Sequence, residues 1–137
     1  MYPPELVQPM KEDLTGAGFN QLTTASEVDE MIENSGESLL MVVNSVCGCA
    51  AGNMRPGVKI SITNDKVPAT LATVFAGVDG EATQQARKYF LPYPPSSPSI
   101  ALFKDGKLVH FLERHHIEGS TAEMIAENLA AAYNEYC

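Results

Sequence analysis

Tryptophan is absent, cysteine occurs three times, and Lys and Arg together number 9 against 17 Asp and Glu, for a formal charge of −8. So few cations, with no cluster of them along the chain, argue against a nucleic-acid surface. No run approaches the ~20 apolar residues of a membrane span. The start, Met1-Tyr2-Pro3-Pro4-Glu5, has neither the basic segment nor the apolar stretch of a secretory signal. Nucleic acid and membrane are therefore not expected partners. An odd number of cysteines does not make a secreted disulfide framework. It suits a reducing cytoplasm, where thiols tend to be catalytic, redox-sensing or metal-binding. Repeats, low-complexity tracts and linkers are missing too, so residues 1–137 are expected to form a single domain. Hydrophobic content of 45% and charged content of 19% are those of an ordinary globule.

What is present centres on residues 39–52. The apolar run Leu39-Leu40-Met41-Val42-Val43 reads as a buried strand, being too short for a stable helix. Asn44-Ser45 breaks it, and Cys47-Gly48-Cys49 follows at the start of a predicted helix. Unpaired amides at a helix start favour negative charge, which lowers a thiol's pKa and raises its thiolate fraction. On a regular helix, residues i and i+2 point roughly 200° apart. An internal Cys47–Cys49 disulfide therefore needs Cys47 outside the helix and Gly48 to absorb an awkward backbone. Such a disulfide is strained and easily reduced, which favours exchange or isomerisation over stable reducing power. Cys47 is expected to be the exposed nucleophile, with Cys49 turned inward.

Before that stretch, Leu6, Met10 and Leu14 share one face of a helix that starts after Pro9 or is kinked there. Gly16-Ala17-Gly18 stops it. Thr24-Ala25-Ser26-Glu27 is a capping box opening a second helix, which buries Val28, Met31 and Ile32. After the thiols, Pro56 should kink the helix unless it restarts there. A strand falls within 69–77 and a helix over 81–90. A proline-rich loop then ends at Ser97-Pro98. Strands over 99–103 and 108–112 flank Lys104-Asp105-Gly106-Lys107, a hairpin signal. Ser120-Thr121-Ala122-Glu123 reads as a second capping box for a last helix with Ile125, Leu129, Ala132 and Tyr136 on one face. His110, His115, His116, Arg55 and Asp79 read as surface groups, and Cys137 as an exposed thiol.

A β-α-β unit, a hairpin and a terminal helix, with thiols after the central strand, make the thioredoxin-like α/β plan. It has a central mixed sheet flanked by helices and an extra N-terminal helix. In that plan Ser97-Pro98 sits where a cis-proline faces the active thiol, its backbone pairing with a substrate strand. The alternative is a trans-proline that only blocks a strand edge.

Asn44-Ser45-Val46-Cys47-Gly48-Cys49-Ala50-Ala51-Gly52 resembles the signature of the bacilliredoxin family. Similar blocks are Leu14-Thr15-Gly16-Ala17-Gly18-Phe19, Leu22-Thr23-Thr24-Ala25, Thr73-Val74-Phe75-Ala76-Gly77, Pro95-Ser96-Ser97-Pro98-Ser99, His110-Phe111 and Ile117-Glu118-Gly119, with a cysteine at the last position. The resemblance implies an enzyme, a thiol-disulfide oxidoreductase that removes bacillithiol from S-thiolated client proteins. Cys47 is then the nucleophile and Cys49 the optional resolving thiol, while Gly48, Ser97 and Pro98 position the substrate. No bound cofactor is implied. The small thiol is a co-substrate, with bacillithiol, glutathione and coenzyme A all open. Disulfide isomerisation, a non-catalytic redox sensor and a metal-binding module are the other readings. The last is weakened because no second close Cys/His pair completes a set of ligands.

Overall fold

The computed structural model describes residues 2–137, so Met1 of the stretch read for a signal lies outside it. Helix α1 (Pro4–Thr15) and the two-residue β1 (Asn20–Gln21) lead into α2 (Ala25–Glu33) and the central β2 (Ser38–Asn44). A π-helical turn (Ala50–Met54) then runs into α3 (Arg55–Ser61), followed by β3 (Thr70–Phe75) and α4 (Gly80–Lys88). The hairpin β4 (Ser99–Lys104) and β5 (Lys107–Leu112), the short α5 (Arg114–Glu118) and α6 (Ala122–Tyr136) complete the chain. The sheet order is β1-β3-β2-β4-β5. β1 and β2 are parallel to β3, whereas β4 is antiparallel to both β2 and β5.

Every residue of β2 is buried, which is why its sequence shows no polar alternation. Its side chains nonetheless alternate between two cores. Leu40 and Val42 join Ile100, Leu102, Val58, Ile125 and Leu129 under α3 and α6. Leu39, Met41 and Val43 join Phe103, Val28, Ile32 and Ala86 under α2 and α4. The hairpin signal is realised with φ of 50° at Asp105 and 78° at Gly106, the positive values a two-residue turn requires.

Helix α1 begins at Pro4 and contains Pro9, so the alternative start after Pro9 is excluded. Its buried positions are Val7 and Leu14, and Leu6 is 45% exposed. Two adjacent apolar residues differ by ~100° on the helix, and the neighbour of the expected one faces inward. The Thr24–Glu27 capping box is complete in both directions. The second box does not form: the cap lies one residue later, at Thr121, which puts Met124 rather than Glu123 at the reciprocating position. Thr121 caps α6 by accepting from the Met124 N–H, while Ser120 Oγ donates to the His116 carbonyl. Tyr133, missed on the α6 face, is fully buried with its hydroxyl 2.9 Å from Ser61 Oγ.

The thiol helix does not break at Pro56 but passes from a π-helical turn into α3 at Arg55. In the widened turn before it the Arg55 N–H reaches back to the Ala50 carbonyl. Pro56 then stands within the first two positions of α3, where a missing N–H costs little. Among the described residues no helix is long and apolar enough to cross a membrane.

Helix α3 is held against α6 at Gly57. A Cβ there would lie 2.9 Å from the Ala122 carbonyl oxygen and 2.9 Å from Ile125 Cβ. Gly57→Ala should therefore destabilise by about 1–3 kcal/mol in chemical denaturation, through overpacking. Helix propensity alone would instead stabilise by up to ~1 kcal/mol, and that outcome would contradict this packing.

Candidate active site

Cys47 stands just past the end of β2, and its carbonyl accepts the first helical bonds, from the N–H groups of Ala50 at 3.0 Å and Ala51 at 3.2 Å. Cys47 therefore lies outside the helix and Cys49 within its first turn, the placement an internal disulfide would need. Gly48 differs from expectation. It is exposed, has no positive φ, and an added Cβ would meet nothing within 4 Å. With both thiols free, no disulfide geometry has to be accommodated, so the awkward backbone expected at Gly48 does not arise. What glycine leaves here is open space beside the sulfurs.

The junction is clamped from behind by Arg55, which is buried rather than the surface charge expected from the sequence. Its Nη1 donates to Asn44 Oδ1 at 2.9 Å and to the Ser45 carbonyl at 3.0 Å. Its Nε pairs with Asp13 at 3.2 Å, and Lys59 shares that carboxylate at 2.6 Å. Asn44 also donates to the Met10 carbonyl and accepts from the Ser45 N–H, tying α1 to the strand end. Ser45 Oγ accepts from the Cys47 N–H at 3.2 Å. Asp79 is likewise not a free surface charge. It pairs with Lys11 at 3.1 Å and accepts from Gln21, away from the thiols.

The two thiols are both half-buried, so the expected exposed-and-inward contrast is absent. Their electrostatics differ instead. Burial pushes the Cys47 thiol up, but hydrogen bonds from Cys49, Ser45 and the backbone N–H groups of Ala50 and Cys49 outweigh it. The net shift is downward. Burial, the hydrogen bond to Cys47 and the charge on Cys47 together push Cys49 up to about 11, with Arg114 opposing. Cys47 is thus the sulfur that ionises, and Cys49 remains a thiol that donates to it.

Ser97-Pro98 is a cis bond, Pro98 is buried, and Ser97 lines the same cavity of about 320 Å³ as Cys47, Ser45, Arg87 and Arg114. The Ser97 carbonyl, expected to face a substrate strand, accepts from Arg114 Nη1 at 3.2 Å. Arg114 opens α5 and also pairs with Glu118. Arg87 and Arg114 went unrecognised because they come from α4 and α5, far from the thiols in sequence. A larger cavity of about 540 Å³, beside β1 and α2, holds no thiol. Among the histidines, His110 Nε2 lies 2.6 Å from Asn128 Oδ1, and exposed His115 and His116 group with Glu113 within 4.8 Å. Neither Cys47 nor Cys49 belongs to that group, and Cys137 is exposed at the chain end.

A family model described as disulphide isomerase matches residues 2–137. The bacilliredoxin of Cytophaga hutchinsonii is 60% identical over 135 residues, covering 98% of this chain and 99% of the relative. That of Halalkalibacterium halodurans is 50% identical over 136 residues, covering 99% and 94%. Among solved structures, oxidised mitochondrial thioredoxin 3 of Saccharomyces cerevisiae superposes with a TM-score of 0.58 over 90% of this chain and 98% of its own. At 17% identity that likeness shows the fold alone: the expected thioredoxin-like one. Relatives this similar over nearly the whole length share more than a fold, and the chain belongs to the bacilliredoxin family of thioredoxin-like disulphide isomerases.

Proposed function

We propose that this thiol-disulfide oxidoreductase releases client proteins from mixed disulfides with a low-molecular-weight thiol, bacillithiol in the first instance, in a reducing cytoplasm. The observation that carries the reading is the unequal pair: a Cys47 favoured as thiolate beside a Cys49 pushed up to about 11. The Cys47 thiolate attacks the small thiol's sulfur in the client disulfide. A new Cys47–small-thiol disulfide forms, the client leaves as thiolate, and that thiolate takes up a proton. A second small-thiol thiolate then attacks the adduct. It leaves as the symmetric small disulfide and returns Cys47 as thiolate. No net oxidation of the protein is needed.

Cys49 supports this route by staying protonated. Resolving the adduct internally requires a Cys49 thiolate; with Cys47 tied up in the adduct its charge no longer opposes that ionisation, but burial still pushes the Cys49 thiol up and makes internal resolution slow. Disulfide isomerisation uses the other mixed disulfide, in which the Cys47 thiolate has attacked a client disulfide and is bonded to one client sulfur; slow resolution by Cys49 gives a second client thiolate time to displace Cys47. A client strand docking at Ser97 would replace Arg114 as the partner of that carbonyl.

The test is a client protein carrying a bacillithiol mixed disulfide, followed by mass spectrometry of both proteins. Cys47→Ser should abolish release. Cys49→Ser should still take the adduct onto Cys47 and hold it longer. Retained turnover in the Cys47 variant would overturn the assignment.

The spacing makes a second prediction, about redox poise. Closing a disulfide across one residue is strained, so the Cys47–Cys49 couple should be more oxidising than the about −270 mV of thioredoxin. Inserting one residue after Gly48 should move the potential down toward that value. A wild-type potential at or below it, in a glutathione redox titration, would refute the strain argument.

A further inference from the structure

All three arginines of this acidic chain gather round Cys47. Arg55 bonds to Ser45 from behind, and Arg87 and Arg114 line the cavity in front. Their donors are used very unequally. Arg55 is paired with Asp13 and bonded to Asn44 and Ser45. Arg114 is paired with Glu118 and bonded to the Ser97 carbonyl. Arg87 has no ion-pair partner among the described residues and only a weak hydrogen bond. Its Nη2 makes one long contact, 3.5 Å, to the Ser96 carbonyl, and its buried Nε has no partner. No carboxylate lies within ion-pair distance of it among the described residues.

A guanidinium has five N–H donors arranged to grip a carboxylate with two parallel bonds. A partly buried one without an anion loses hydration that a single long bond to a carbonyl replaces only in part. Neither Cys47 nor any other residue lining the cavity has a carboxylate to offer, and the cavity's about 320 Å³ is at the lower end of small-ligand sites. With a net charge of −8, this cationic wall is not a general property of the surface.

We infer that Arg87, assisted by Arg114, is a carboxylate subsite beside Cys47 that steers the sulfur of the small thiol onto Cys47. The inference rests on the proposal that Cys47 accepts a small thiol. It adds the residue that selects the thiol: Arg87 favours anionic small thiols over neutral and cationic ones. Arg87 then acts in binding and orientation, and takes no proton or electron pair in the exchange.

The subsite can be tested without turnover. Iodoacetate and iodoacetamide alkylate the same thiolate and differ in carrying a carboxylate or a neutral amide. Their rates at Cys47, followed by peptide mapping at low ionic strength, give a ratio from which changes in thiolate fraction cancel. Relative to free cysteine, the wild-type ratio should favour iodoacetate by about tenfold, the scale of one charge-assisted contact. Arg87→Gln should bring it down to the free-cysteine value, and Arg87→Lys should retain part of the preference. A ratio equal to that of free cysteine in the wild type, or unchanged in folded Arg87→Gln, overturns the subsite.

A second arm locates the carboxylate. One client is loaded with glutathione or with 2-mercaptoethanol, and kcat/KM is compared. A glutathione preference that Arg87→Gln removes supports the inference. Equal rates would mean that the carboxylate comes from the client, and would overturn it. If neither of these adducts nor a bacillithiol adduct is removed, the de-thiolation proposal fails, and the alkylation ratio still decides whether the subsite exists.

Discussion

The whole arrangement depends on β2 being unable to move. Its seven residues are buried, paired in parallel with β3 on one side and antiparallel with β4 on the other. A one-residue slip would exchange the side chains of both cores at once, so the register is held by packing on two faces. The strand end therefore delivers Asn44 and Ser45 to one place, where Arg55 and α1 bind them. Cys47 inherits that fixed position. Its reactivity rests on local polar groups aimed at a sulfur whose backbone cannot relax away from them.

Those groups separate two chemically identical side chains. Both thiols are half-buried, and burial alone would raise both. Only Cys47 stands at the helix start, where the N–H groups of Cys49 and Ala50 reach its sulfur. Once Cys47 is charged, its field and its hydrogen bond oppose ionisation of Cys49. The pair is therefore one coupled unit in which the negative charge is placed on the outer position of the helix. Arg114 adds positive charge near the pair from outside, opposing the upward shift of Cys49.

Much of this could be read from the chain because local rules and tertiary structure agree there. The run from Leu39 to Val43 was legible as the central strand, Asp105-Gly106 as its neighbour's turn, and Thr24 with Glu27 as a helix start. Pairing of the i, i+2 cysteines needs one of them outside the helix, and Cys47 is. What stayed hidden was set by contacts between distant segments. Arg55 beside Pro56 looks like any charge on a helix until the strand end it binds is known. Arg87 and Arg114 reach Cys47 only through the folding of α4 and α5 around the sheet. The choice of Val7 over Leu6, and of Thr121 over Ser120, turned on one-residue differences that periodicity does not resolve. β1 and α5 are too short to leave a pattern at all. Gly48 misled because its spacing suggested a backbone demand, whereas the free thiols leave its conformation ordinary.

The central claim is that one thiol of the pair ionises early and suppresses the other. Ultraviolet thiolate absorbance across pH tests it most directly, on the Cys137→Ser variant so that the pair supplies the only thiols, with the tyrosinate signal of the five tyrosines subtracted using the same variant lacking Cys47 and Cys49. The account predicts two separated steps, the first below the ordinary cysteine value and the second near about 11. A single step in which both thiols ionise together at the ordinary value would contradict it.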